Sequence, residues 1–147
     1  FYYPWASGGN ILIHRLAAAN ASWQEGNLSL FTQTEGNPAE GDSTWLVRRA
    51  PGDRWAGSAG ASLAGVDYYE SPVASHPYAS WTTGSLQFVL NGSESFIERW
   101  IENPKTNAGF LIRAADPRTM SRINFHSSES EKKNLRPELV IEYVPRK

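Results

Sequence analysis

Histidines, serines and carboxylates are the side chains here that could do acid–base, nucleophilic or metal chemistry. Their spacing supports none of it. His14, His76 and His126 stand far apart, so no HxH or HxxxH pair exists, and the chain has no cysteine for a CxxC site. Serine, histidine and aspartate are all present, but no GxSxG elbow would expose a nucleophile. Glu129 and Glu131 lie in the polar run SSESEKKN, which reads as a solvated hairpin tip rather than an acid–base pair. Asp42, Asp53, Asp67 and Asp116 lie in loop-like sequence, where carboxylates could contribute to a structural calcium site, although no DxDxDG loop accompanies them. His14, on the apolar face of a strand, is expected to be a satisfied core or edge histidine. No catalytic set and no metal set emerges, and a non-catalytic protein is the expectation.

The elements that would position these residues follow from periodicity. Phe96, Ile97, Trp100 and Ile101 share one face at helical spacing, which predicts a short helix over about 93–103. Ser93 or Ser95 is expected to cap it, with Glu98 completing a capping box after Ser95, and Pro104 to end it. Strands are expected at 11–16 (ILIHRL), 43–49 (STWLVRR), 85–90, 109–113, 122–125 and 138–144, with a short one at 66–69. The run 138–144 alternates cleanly, Leu139, Ile141 and Tyr143 opposing Glu138, Val140 and Glu142. Residues 17–21 suit a helical turn. Residues 27–42 and 51–65 read as loops, and 70–80, with Pro72 and Pro77, as irregular. Short strands, Gly/Pro-rich connections and one helix predict an all-β fold, an antiparallel β-sandwich or jelly roll.

Composition bounds the rest. A chain of 147 residues is one domain or much of one, and 40% hydrophobic with 20% charged residues is ordinary for a folded chain. A net charge of −1 gives no support for nucleic-acid binding. No apolar run reaches the ~20 residues that span a bilayer. Residues 1–10 form an aromatic amino-terminal arm, in which Phe1, Tyr2, Tyr3 and Trp5 are expected to pack against something, and 11–147 form the single domain. The sequence starts at Phe1 with no leader of the signal-peptide type, so the expectation is a processed chain or a piece of a longer one.

The order of landmarks is more specific than any one of them. A strand leads to Trp23-x-Glu25-Gly26. Then come Thr44-Trp45, Trp55-x-Gly57, the helix with Trp100, Asn107-x-Gly109-Phe-x-Ile112, Phe125-x-Ser127-Ser-Glu129 and Arg136-Pro137-x-Leu139-x-Ile-x-Tyr143. This order resembles the DNRLRE-type domain of secreted and cell-surface microbial proteins, a group related to carbohydrate-binding module family 96, whose ligand class is alginate. The motif of the family's name is not present as such; the landmarks span 11–143. The resemblance implies a secreted or cell-surface module, with Trp23, Trp45, Trp55, Trp100, Asn107, Gly109, Glu129, Arg136 and Pro137 as fold-defining positions.

Aromatics outside those landmarks then become binding candidates. Trp81, Tyr68, Tyr69 and Tyr78 could stack on sugar rings, and Arg48, Arg49 and Arg54, near the same middle loops, suit an anionic polysaccharide. The same Tyr-rich loops would serve a protein contact or plug one end of the fold. Family members look longer at their amino-terminal end, so strands beside 11–16 are expected to come from a second polypeptide, either a cleaved amino-terminal part or a neighbouring subunit, with Phe1–Trp5 lying along it. Two functions follow as expectations. One is a non-catalytic extracellular module that binds polysaccharide. The other is a structural subunit of an extracellular filament, sheath or surface layer, built by strand complementation and aromatic contacts.

Overall fold

The computed structural model of the chain describes residues 8–25, 38–79, 84–116, 124–128 and 130–143. Its regular elements are β1 (Gly9–Arg15), β2 (Val47–Arg49), β3 (Asp53–Arg54), β4 (Ala74–Tyr78), helix α1 (Ser93–Glu102) and β5 (Phe110–Ala114), joined by 3-10 turns and loops. The described residues form a β-rich fold with one helix and two small antiparallel sheets, of order β4-β1-β5 and β2-β3.

β1 is central because its sequence suits burial on both faces. Ile11 and Ile13 point to one side, and His14 and Leu16 are buried on the other. The bonds Leu16 N–H to Gly109 O and Ala115 N–H to Asn10 O set the phase of the β1–β5 ladder. The even-numbered residues of β1 therefore bond β5, and Gly9, Ile11 and Ile13 bond β4. Pro77, opposite Asn10, consequently turns its missing N–H to the outer edge of β4, where it costs nothing. That is why residues 74–78 form a strand although two prolines in 70–80 predict irregular chain.

Helix α1 closes the Ile13 face. Phe96, 2% exposed, joins Ile13, Val73 and Ala74, and Phe88, Leu90, Ile97, Trp100 and Phe110 pack around them. The rings of Phe96, Trp100 and Phe110 meet tilted or edge-on with centroids 5.0 to 6.0 Å apart, the arrangement that aromatic quadrupoles favour. Burying Phe96 alone contributes about 2–3 kcal/mol of transfer free energy. A second cluster on the opposite face holds Leu16, Ala61 and Ala108 with Trp23, Trp55 and Leu111 against it.

The helix lies where its period places it, but its start differs from expectation. Gly92, in the left-handed region at φ 63°, is the N-cap, and Ser95 donates its hydroxyl to the Gly92 carbonyl instead of capping amides. No side chain caps the helix, so neither the serine cap nor the capping box forms. Ile101, at the rim of the apolar face and near the helix end, is exposed.

Several expected strands shrink. Of 43–49 only Val47–Arg49 is strand, because the Thr44 hydroxyl accepts the N–H groups of Leu46 and Val47 and bends the chain. Residues 66–69 contribute only isolated bridges at Tyr68. Residues 85–90 form no strand among the described residues, although Phe88 and Leu90 reach the core. Of 122–125, residues 122 and 123 lie outside the described residues and 124–125 are not strand. Residues 138–143 belong to no ladder among the described residues, and 144 lies outside them. Both neighbours of β1 come from this chain, so the vacancy expected beside 11–16 is not there. Among the described residues, no strand pairs the outer side of β5 or the run 138–143.

Candidate functional site

The most ordered polar centre among the described residues is Asp67, which is completely buried. Its Oδ1 accepts the Asn20 side-chain amide at 3.0 Å and the Gly57 N–H at 2.8 Å. Its Oδ2 accepts the N–H groups of Ser58 at 2.8 Å and Leu63 at 2.9 Å. Asn20 also donates to the Asp67 carbonyl, and its own Oδ1 accepts the Ala56 N–H at 2.9 Å. Burial works against the charge on Asp67, but the Leu63 N–H, the Asn20 amide and the N–H groups of Gly57 and Ser58 outweigh it and hold the carboxyl below the usual aspartate range. With its two oxygens facing four N–H donors, Asp67 organises the loops around it.

The other candidate calcium ligands are engaged differently. Asp53 forms a two-pronged pair with Arg48, Nη2 to Oδ1 at 2.9 Å and Nε to Oδ2 at 3.0 Å. That hydrogen-bonded guanidinium holds the Asp53 carboxyl below its ordinary value. Asp42 accepts the Ala39 N–H at 2.9 Å. Asp116 is half-buried and has its own contacts. No group of three His, Asp or Glu side chains gathers as a metal site among the described residues. His14 donates Nδ1–H to the Tyr69 carbonyl at 2.9 Å and meets the Tyr68 ring edge-on, while its buried Nε2 has no hydrogen-bond partner. It is a core histidine satisfied at one nitrogen only.

The binding candidates separate. Trp81 and the arm residues Phe1, Tyr2, Tyr3 and Trp5 lie outside the described residues. Tyr68, expected at the surface, is 4% exposed, because it bridges Leu16 and Ala64 and accepts a hydrogen bond from Arg113. Tyr69 is exposed with the Arg15 guanidinium 4.0 Å above its ring, which occupies one stacking face. Tyr78 is half-buried against Gly9. Arg48 is committed to Asp53 and the Ala19 carbonyl, whereas Arg49 and Arg54 are exposed on β2 and β3.

Among the landmarks, Trp23, Asn107 and Gly109 come together across the chain. Trp23 donates its indole N–H to the Ala108 carbonyl at 2.8 Å, and its ring lies over Gly109. Asn107 Oδ1 accepts the Gly109 N–H at 3.0 Å, which holds Gly109 at φ 78°. Trp55 donates to the Thr44 carbonyl at 3.0 Å and packs in the second cluster, and Trp100 packs in the first. Ser128 donates to Glu25 at 2.8 Å, and Arg136 donates Nε–H to the Ser130 carbonyl at 2.8 Å. Pro137 is exposed, and Glu129 lies outside the described residues.

Trp45, expected as a fold-defining position, lies at the surface and not in the core. It is 69% exposed, beside exposed Leu46, at the base of the β2–β3 hairpin. Its benzene ring rests against Gly60, at φ 71°, where any Cβ would collide with the ring. Its carbonyl accepts the Gly60 N–H. The Trp45 indole, backed by Gly60, thus stands just ahead of the small hairpin whose strands carry Arg49 and Arg54. The Gly60 support comes from a 3-10 turn fifteen residues onward (60 − 45), and no local pattern announces it. Comparison of the chain with protein-family models, with curated proteins and with solved structures finds no match.

Proposed function

We propose that this chain is a non-catalytic extracellular module of the β-sandwich class that binds polysaccharide, through the β2–β3 hairpin. The observation that supports this reading is the solvent-exposed indole of Trp45, seated on Gly60 just ahead of the hairpin that carries the exposed Arg49 and Arg54. An exposed indole face carries negative quadrupole charge and attracts the C–H bonds of a sugar ring. Guanidiniums add charge-assisted, two-pronged hydrogen bonds to uronate carboxylates, which makes an acidic glycan of the alginate kind the favoured ligand. The landmark resemblance points to the same class.

Retardation on native gels containing alginate and a set of neutral and acidic glycans tests this. The folded protein is expected to be retarded by an acidic glycan, Trp45→Ala to lose at least about tenfold in affinity, and the arginine contribution to weaken with salt. Absence of retardation on every glycan, with the protein folded, ends the proposal. A second reading, a self-assembling structural subunit, is favoured by one observation: residues 138–143 carry an alternating apolar face that nothing among the described residues covers. Light scattering over a concentration series separates the two.

A further inference from the structure

Among the described residues, neither 138–143 nor the outer side of β5 has a strand beside it. In the run 138–143, Leu139, Val140, Ile141 and Tyr143 are all at least half exposed, Tyr143 reaching 81%. No backbone hydrogen bond is made by 138–143 among the described residues. Unpaired backbone of high β-propensity bearing a row of apolar side chains is a template for another strand. The phase of the β1–β5 ladder supplies the complementary half. Leu111 and Arg113 bond β1, so the N–H and C=O groups of Phe110, Ile112 and Ala114 turn outward. No strand lies on that outer side among the described residues, and Ile112 is half exposed there.

The two halves match in one antiparallel register. Set opposite one another, Ile112 meets Leu139, Phe110 meets Ile141, Leu111 meets Val140 and Arg113 meets Glu138. Apolar residues then oppose apolar residues on both faces, and the one cation opposes an anion. Arg113 already donates to the Tyr68 hydroxyl and, from Nε at 3.4 Å, to the outward Ala114 carbonyl, but a guanidinium has five N–H groups and retains donors for Glu138. A shift by one residue would put Glu138 or Glu142 among the apolar side chains of Phe110 and Ile112, so the pattern selects its register.

We propose that residues 138–143 of one copy of the chain add as an antiparallel strand to the outer edge of β5 in a second copy, with Glu138 of one against Arg113 of the other. The inference rests on the self-assembly reading above and names its contact; the glycan surface on the β2–β3 hairpin is separate from it. A copy of the chain is the occupant that fits because it carries the matching register, and a net charge of −1 sets little long-range repulsion between copies. Reciprocal exchange would give a closed dimer, and one-way addition an open filament.

The natural chain lacks cysteine, so engineered thiols report without background. Opposed residues at a hydrogen-bonded antiparallel pair have Cα atoms about 5.5 Å apart, within disulfide reach. The full-length variants Ile112→Cys and Leu139→Cys, mixed and oxidised, are expected to give a disulfide-linked heterodimer, while each alone gives far less. Light scattering on the natural chain is expected to show concentration-dependent association. Arg113→Glu or Glu138→Arg should weaken it about tenfold, and the exchanged double variant should restore it. Association without the disulfide between positions 112 and 139, or without rescue by the exchanged charges, overturns this contact and leaves the assembly reading standing. A monomer at every concentration overturns both. An intramolecular disulfide in the doubly substituted single chain, with none between chains, shows that the strand completes its own sheet and also overturns the proposal.

Discussion

The loops around Asp67 and the carboxy-terminal run 138–143 are opposites in how their groups are partnered. The first has no repeating pattern, yet Asn20, Ala56, Gly57, Ser58 and Leu63 all converge on Asp67 or on its amide partner, and Asp67 is wholly buried. The second has the most regular alternation in the chain, and its side chains stand exposed with no ladder beside them among the described residues. Pattern alone therefore does not order a backbone. What orders it is a partner for each N–H and C=O, and one buried carboxylate can supply such partners to a loop more fully than an unmatched strand can supply them to itself.

The largest expected effect tests the ordered side of that contrast. Asp67→Asn keeps the shape but turns an amide N–H2 toward the donors at Ser58 and Leu63. It should cost about 3 kcal/mol, measured by urea unfolding, because it breaks a buried charged network. A loss below about 1 kcal/mol would mean that water, not Asp67, satisfies these loops. Asn20→Ala follows at about 2 kcal/mol, since it removes two donated bonds and leaves the Ala56 N–H without its acceptor.

The pH dependence has a definite sign. The Asp67 carboxyl titrates lower in the folded chain than in the unfolded one. Its contribution is complete above the unfolded value of about 3.9 and is lost as pH falls below that toward and through the folded value. Stability of the natural chain should therefore drop more steeply below about pH 4 than that of Asp67→Asn, as followed by fluorescence of the tryptophans during acid titration. Parallel acid profiles for the two proteins would remove Asp67 from this role.

The smallest expected effect belongs to the other region. In dilute solution Leu139→Ser with Ile141→Ser should change unfolding free energy by no more than about 0.5 kcal/mol, because both side chains are already exposed. A loss of several kcal/mol would show that these residues are covered in the free chain, and the contrast between the two regions would collapse.

Local sequence determined the helix and little else in detail. Residues 93–102 were legible because an α-helix makes its hydrogen bonds within its own segment, and the spacing of Phe96, Ile97 and Trp100 needs only that period to point at a core. β1 and β5 were legible to within about two residues, since their apolar runs suit a buried sheet. Tertiary structure decided the rest. Pro77 sits in a strand because β4 is an edge whose outward side needs no donor. Tyr68, a candidate for sugar stacking, is buried, and Trp45, a fold-defining landmark, is exposed, because Leu16 bridges one and Gly60 backs the other. The Asp67 cage joins Asn20 to a residue forty-seven positions away. Strand pairing, burial and such cages are properties of two distant segments together, and neither segment's own order of residues contains the other.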